Sequence, residues 1–473
     1  MNILFVSAEV APFSKAGGLA DVAGSLPQAL SHYVASIQVI SPLYGQIDCD
    51  KYSIIPTSYK GSVELGEDRF PYTLHSTTLT DGKIQNWFIE NETFFGRQGI
   101  YTEENGAGFE DNNLRYYFFQ LVVLDVLKRQ LFNTDLLHCN DHHSGLLPGL
   151  LKSGSSSIRS VFTIHNFLYH GHFSERELEL LPNDLKNLTT KTQWDNYSAL
   201  LEGIDHADLV TTVSSGYARE LLSGEDIDSH SHKHILAAQN KFSGVVNGID
   251  TEYWNPELDS FTPFHFSQDR MDGKLKNKRE LLAQSGLDLD ESAPLIGSIS
   301  RLVENKGFPF IVDLLDEFVA AGAQFIFLGS GDPVITEQLH AASKKHPGRI
   351  AFDAGFNEPL AHLIEAGSDL FLMPSRFEPC GLNQLYSLRY GTIPIVHNTG
   401  GLGDTVKNYK LNAGTGFVFE PYTLAALKSA INQALDIFID KKQWAALIKR
   451  AMDQDFSWGR SALQYYKLYT SKR

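Results

Sequence analysis

Long apolar runs are missing from this 473-residue chain, and none approaches the roughly 20 consecutive apolar residues of a membrane-spanning helix, so no membrane partner is expected. Cysteine is scarce. Cys49, Cys139 and Cys380 are odd in number and far apart, which excludes a disulfide framework and the ligand spacing of a structural zinc site. Positive charge is outweighed, with 40 Lys and Arg against 56 Asp and Glu, and the net charge of -16 argues against a nucleic-acid coat, which needs a basic surplus. An anionic small molecule can still bind where a few cations converge, so each Lys or Arg beside a glycine-rich turn matters. The opening residues, Met1 to Ser7, turn polar too soon for a signal peptide and read as a buried strand; the expected location is the cytoplasm.

What remains is an ordinary globular composition, 42% hydrophobic and 20% charged, in a chain long enough for two large domains. Short β-branched runs alternate with helical patterns twice over, the signature of parallel sheets covered by helices. Strands are predicted at Ile3–Ser7, Ile37–Ser41, Leu136–His138, Ser160–Ile164 and Leu209–Val213, then at Leu295–Ser300, Gln324–Leu328, Asp369–Met373 and Ile393–Val396. The fold class is therefore α/β, two Rossmann-like domains with a ligand cleft between them. The first domain spans 1–250, with antiparallel strands inserted between Tyr52 and Glu90 around an Asp81-Gly82 turn. The second spans 251–455, after the turn signals at Asn247-Gly248-Ile249-Asp250. Leu424, Leu427, Ile431, Leu435 and Phe438 mark one face of a long helix. A last helical segment, 456–473, is expected to cross back to the first domain.

Three segments carry chemistry. The first strand runs into Lys15-Ala16-Gly17-Gly18-Leu19-Ala20-Asp21, where paired glycines let N–H groups approach an anion at a helix start and Lys15 adds a full charge; the plain alternative is a tight strand-to-helix turn. Arg301-Leu302-Val303-Glu304-Asn305-Lys306-Gly307 places two cations just past a buried strand, where a diphosphate needs a fork-shaped donor and a compact charge; a surface pair with Glu304 is the alternative. Pro374 to Gln384 follows another strand, with Glu378 able to hold sugar hydroxyls and the N–H groups after Pro379 turned toward a phosphate, or else a mere helix-initiating turn. Thr399-Gly400-Gly401-Leu402-Gly403 repeats that device one strand later.

Together with Thr163-Ile164-His165-Asn166 and Val246-Asn247-Gly248-Ile249-Asp250, these segments resemble the glycogen and bacterial starch synthase family along essentially the whole chain. The resemblance implies the two-domain glycosyltransferase architecture named GT-B, and a retaining transfer of glucose from ADP-glucose to the non-reducing 4-hydroxyl of an α-1,4-glucan such as glycogen, with release of ADP. It implies that Lys15, Arg301 and Lys306 hold the donor diphosphate and that Gly18 admits sugar and phosphate to the backbone. Glu378 would bind the transferred glucose. Asp21, Asn247 and Cys380 join the substrate-binding set, Gly381 and Leu382 offer N–H groups to the distal phosphate, and Phe356 would lie against the adenine. His165 would stabilise developing positive charge at the anomeric carbon, by charge rather than by proton transfer. Neither a metal nor another cofactor is implied.

Asp141, in Cys139-Asn140-Asp141-His142-His143, is similar to an aspartate placed near acceptor and sugar, but the family commonly has tryptophan where this chain has His142. His138, Asp141, His142 and His143 could also be read as a metal site, although their spacing matches no standard ligand pattern. His170 stands where glutamine is usual, and His230, His232 and His234 replace a glycine- and leucine-rich stretch and read as an exposed, solvated loop. Three alternatives stay open at this point: a UDP-glucose-using synthase, another nucleotide-sugar enzyme of the same fold, and a non-catalytic glucan-binding relative.

Overall fold

The computed structural model describes residues 1–79, 84–103, 106–154, 156–181, 192, 196–411 and 413–471. The chain forms two compact units, Met1–Gly248 together with Trp458–Arg473, and Ile249–Ser457. Among the described residues no helix is long and apolar enough to cross a membrane.

The first unit is built on a nine-stranded sheet of order β11-β10-β7-β6-β1-β2-β5-β4-β3. Its strands are β1 (Asn2–Val6), β2 (Ser36–Pro42), β3 (Ile55–Leu65), β4 (Asp68–Leu79), β5 (Ile84–Glu90), β6 (Leu136–Asn140), β7 (Arg159–Ile164), β10 (Leu209–Thr212) and β11 (Phe242–Gly244), while β8 (His172–Phe173) and β9 (Tyr197–Ser198) pair separately. Ile3 to Val6 and all of β6 are buried, the continuous burial of strands covered on both faces. β1 pairs in parallel with β2 on one side and β6 on the other, so the order reverses between β1 and β6. The expected antiparallel insertion is present, since β4 runs antiparallel to β3 and to β5. β5 joins β2 in parallel. The Asp81-Gly82 turn lies outside the described residues.

Fully buried Arg115 donates to the carbonyls of Phe94 and Ile100 and to Asn112 Oδ1, which fixes the chain leading to Tyr101. The helix Trp458–Thr470 packs in this same unit: Ser461 Oγ donates to the Val246 carbonyl at 2.6 Å and Tyr466 stacks on Tyr33 at 5.4 Å.

The second unit has a six-stranded, all-parallel sheet of order β14-β13-β12-β15-β16-β17. The strands are β12 (Leu295–Ile299), β13 (Gln324–Gly329), β14 (Ile350–Ala354), β15 (Leu370–Met373), β16 (Ile393–His397) and β17 (Phe417–Phe419). Here the reversal falls between β12 and β15. β14 and β17 were not anticipated from sequence, and neither was β11 in the first unit: β17 and β11 are three residues long, and β14 is an edge strand buried fully only at Ile350. The helix Leu424–Ile439, capped by Thr423, turns Leu427, Ile431 and Phe438 into the core with Leu424 and Leu435 packed against it, as the periodicity predicts. The polar stretch after Asp250 is anchored by buried Asp259, whose Oδ2 accepts from Tyr390 at 2.6 Å and from His362 at 2.9 Å. Trp254 is sandwiched between His362 and Tyr386, each 3.8 Å away.

Candidate active site

Both units gather polar side chains past the carboxyl ends of their strands, beside the strand-order reversal. In sheets of this kind the helices flanking such a reversal leave on opposite faces, which is where ligands are generally bound.

In the first unit the loop after β1 delivers Lys15 to Gly18, all exposed, and the helix Gly18–Leu30 begins there. Sequence reasoning overlooked what holds this loop. Buried Glu9 accepts the N–H groups of Ala16 (2.6 Å) and Gly17 (2.8 Å) on one oxygen and the Tyr101 hydroxyl (2.6 Å) on the other. Lys15 reaches Asp21 at 2.7 Å, an ion pair at the helix start. Gly17 has extended backbone, φ -155°, and a Cβ placed on it would meet nothing within 4 Å. Packing within the unit therefore gives no reason for glycine there.

Asp141 follows β6 with φ at 53°, a left-handed conformation that costs a non-glycine residue about 1–3 kcal/mol. The turn aims its carboxylate at β7, where Oδ1 accepts the His165 N–H at 2.7 Å. Burial pushes the Asp141 carboxyl up to about 7, against the N–H groups of His165 and Asn166, which pull it down. Asn140 gives its amide nitrogen to the Val6 carbonyl, leaving its oxygen 2.9 Å from His165 Nε2. An amide oxygen only accepts, so Nε2 carries the proton. Burial lowers His165 to about 3, which makes the ring a neutral dipole at physiological pH and unfit as a proton donor.

The other histidines near these strand ends have different surroundings. His138 uses both nitrogens inside the protein, Nε2 with Thr163 Oγ1 and Nδ1 with the Tyr469 hydroxyl, each at 2.7 Å, so it is not a ligand in waiting. His142 and His143 lie ring to ring at 3.8 Å, and burial lowers His142 to about 4 and His143 well below the ordinary range. His170, likewise lowered to about 4, stacks on His172 at 4.9 Å. Asn247 is buried, and its Oδ1 has no hydrogen-bond partner among the described residues. The segment around His230, His232 and His234 corrects the sequence reading: it forms the helix Ser229–Ala237, not a solvated loop, because Asp228 caps it and Ile235 is buried beneath it.

In the second unit, the segments after β12 and β15 are tied together at three points. Gly307 has φ 79° and sits so close to Pro374 that a Cβ would lie 2.2 Å from its carbonyl oxygen. The Arg376 N–H donates to the Asn305 carbonyl at 2.8 Å. Lys306 then forms a tight ion pair with Glu378, whose same oxygen accepts from Ser375 Oγ at 3.0 Å. Glu304 does not take up Lys306, and Arg301 is exposed with no ion pair among the described residues.

Gly400 and Gly401 prove to be packing residues: a Cβ on Gly400 would lie 2.1 Å from the Glu378 carbonyl oxygen, and the Gly401 N–H donates to that oxygen at 3.1 Å. They brace the Glu378 segment. Cys380 is buried and in no disulfide, Gly381 has φ 71°, and Leu382 stands at the first position before the helix Asn383–Arg389 without a side-chain capping bond. Phe356 stands apart on the loop after β14, 84% exposed.

The histidine beside the strand ends of the first unit is held neutral, and each unit pairs a lysine with a carboxylate that a ligand could displace, which suits anion binding and sugar orientation better than proton shuttling. Residues 2–237 match the family model described as the starch synthase catalytic domain, and residues 281–451 match glycosyl transferases group 1. The chain is 41% identical to a glycogen synthase of Anaeromyxobacter dehalogenans over 99% of both chains, and 38% identical to glycogen synthase 1 of Methylococcus capsulatus over 99% of this chain and 96% of the relative. Among solved structures, the catalytic domain of starch synthase IV from Arabidopsis thaliana, bound to ADP and acarbose, superposes with a TM-score of 0.91 at 31% identity, covering 99% of this chain and 98% of that one. Sucrose-phosphate synthase from Thermosynechococcus elongatus shares the fold alone, at TM-score 0.61 and 17% identity over 99% and 98% of the two chains. The two parallel-sheet units are thus those of GT-B glycosyltransferases, and the chain belongs to the glycogen and starch synthase family of glucosyltransferases.

Proposed function

We propose that the protein transfers glucose from ADP-glucose to the non-reducing 4-hydroxyl of an α-1,4-glucan, with retention and release of ADP. One observation carries this reading: in the second unit Lys306 and Glu378, from the two strand ends at the order reversal, are already in contact. A diphosphate entering there meets Lys306 and the exposed Arg301, and each phosphate contact loosens the hold of Lys306 on Glu378. The released carboxylate is then available to sugar hydroxyls. Charge neutralisation at the leaving diphosphate lowers the barrier, and Glu378 positions the sugar without attacking it. His165, a neutral ring with a fixed tautomer, contributes a dipole; Asp141 orders the His165 backbone. Lys15 and the open helix start at Gly17 and Gly18 supply further phosphate contacts. Adenine against Phe356, and distal-phosphate contacts from Gly381 and Leu382, belong to the same proposal.

The choice of ADP-glucose follows the plant relative, solved with ADP and acarbose at 31% identity. A cytoplasmic setting, where the three cysteines stay reduced, is part of the proposal. The test is direct. Pure protein incubated with ADP-glucose and glycogen should release ADP and lengthen glucan chains, at a higher initial rate than with UDP-glucose. Binding of both substrates without release would identify a non-catalytic relative, and a higher rate with UDP-glucose would reassign the donor.

A further inference from the structure

Away from the site described above, the helix Ser229–Ala237 carries two imidazoles one turn apart. His230 and His234 approach each other Nε2 to Nε2 at 3.2 Å. The capping carboxylate of Asp228, which accepts the N–H groups of His230 and Ser231 at 3.0 Å each, fixes the turn that sets this spacing. On its other edge His234 places Nδ1 2.8 Å from Asp205 Oδ2, on the neighbouring helix Ala199–His206. A carboxylate only accepts, so Nδ1 carries a proton, and the neutral ring turns the lone pair of Nε2 toward His230. One proton is therefore shared between the two facing nitrogens.

An imidazole held by a carboxylate on one nitrogen and open on the other is how proteins orient a metal-binding histidine. The distance agrees. For metal–nitrogen bonds of about 2.1 Å, nitrogens 3.2 Å apart subtend roughly 100° at the ion, between the cis angle of a square or octahedron and that of a tetrahedron. Among the described residues no group of three or more His, Cys, Asp and Glu gathers to hold a metal, so the protein supplies two ligands.

We propose that His230 and His234 form a two-imidazole site for a borderline divalent cation of the zinc class, which replaces the proton between the rings while Asp205 orients His234 and water completes the coordination. The site is independent of glucosyl transfer. It makes the ion a clip along one helix, tying together residues four apart.

Calorimetric titration of Zn2+ into the untagged full-length protein tests it. One saturable binding event is expected. His230→Ala and His234→Ala should each abolish it, and Asp205→Asn should weaken it ten- to hundredfold. Hydrogen exchange of amides 229–237 should slow on adding Zn2+ to the native chain and stay unchanged in His230→Ala. Glucosyl transfer by the variants in the absence of metal should equal that of the native protein, which checks that they fold. The proposal is overturned if no saturable event occurs, if His230→Ala binds Zn2+ as tightly as the native chain, or if the event is lost instead in a His142→Ala and His170→Ala double variant.

Discussion

Lys306 and Glu378 neutralise each other across the ends of β12 and β15, with Ser375 as the carboxylate's second partner. The ion pair holds both groups in place before any ligand arrives. On the proposed function, with Lys306 as cation to a diphosphate and Glu378 as acceptor for hydroxyls, each is pre-oriented by the group it must release. Lys306→Ala and Glu378→Gln are each expected to lower kcat/KM for glucosyl transfer by about 10²–10³, the usual effect of removing one preorganised group at a site of developing charge. Thermal melts would show both variants folded. A loss under fivefold at either position would remove that residue from the site.

Gly17 separates folding from binding. Its backbone suits any residue and the space around a Cβ is empty, so Gly17→Ala should change stability by no more than about 1 kcal/mol, the cost of losing a favourable helix cap. If phosphate approaches this backbone, the same change should raise KM for the donor at least tenfold. Urea unfolding and donor saturation curves on one preparation give both values. An unchanged KM would mean that the donor stays clear of the loop.

His165 should leave no trace in the pH–rate profile. With the ring held neutral down to about pH 3, no limb of kcat between pH 5 and 9 belongs to it. On the proposed function His165 acts on developing charge, so His165→Ala should reduce kcat about a hundredfold while leaving ADP affinity within threefold. A lost acidic limb in the variant would show instead that the imidazole titrates during turnover.

Asp141 makes the fold pH-sensitive in the direction opposite to most carboxylates. Its folded value of about 7 lies above the unfolded value of roughly 3.9, so between them the folded chain binds more protons than the unfolded one. Stability from this group is full below about pH 4 and is lost as pH rises toward 7. Asp141→Asn removes the titration. The stability of the native chain relative to this variant should fall with pH across that window, by no more than about 1.4 kcal/mol per unit. A flat difference would place the Asp141 carboxyl in the ordinary range.

In the second unit, Asp259 carries the opposite sign. Burial raises its carboxyl, but His362 and Tyr390 outweigh that and hold it below the ordinary range. Stability from this group is present at neutral pH and is lost as pH falls through the acid range. Asp259→Asn should cost roughly 1.5–3 kcal/mol at pH 7, the worth of a hydrogen bond to a charged group, with the loss shrinking in acid. Fluorescence of Trp254, stacked on His362, offers a local report.

Much of this was legible in advance, for a physical reason. Strands buried on both faces need unbroken apolar runs, so β1, β6, β12 and β13 announce themselves, and a long core-facing helix shows its period in Leu427, Ile431 and Phe438. β17 and β11 are too short to hold a pattern, and β14 is too exposed. Glu9 was invisible because its significance lies in its partners, one of them Tyr101, 92 residues away. The helix at His230 to His234 was hidden by composition: polar residues dominate it, so the segment reads as a solvated loop, although Asp228 caps it. The role of Gly400 and Gly401 in bracing Glu378 was equally hidden, since a glycine kept for backbone contact looks the same as one kept for phosphate.

The reversal of strand order beside β1 and β12 has an evolutionary consequence. Where neighbouring helices part company, side chains such as those of Lys15 and Arg301 stand clear of the tightly packed interior, so their size and shape are not dictated by the need to fill volume. Such positions are free to drift without harming the fold, and whatever restrains them must come from the molecules they meet.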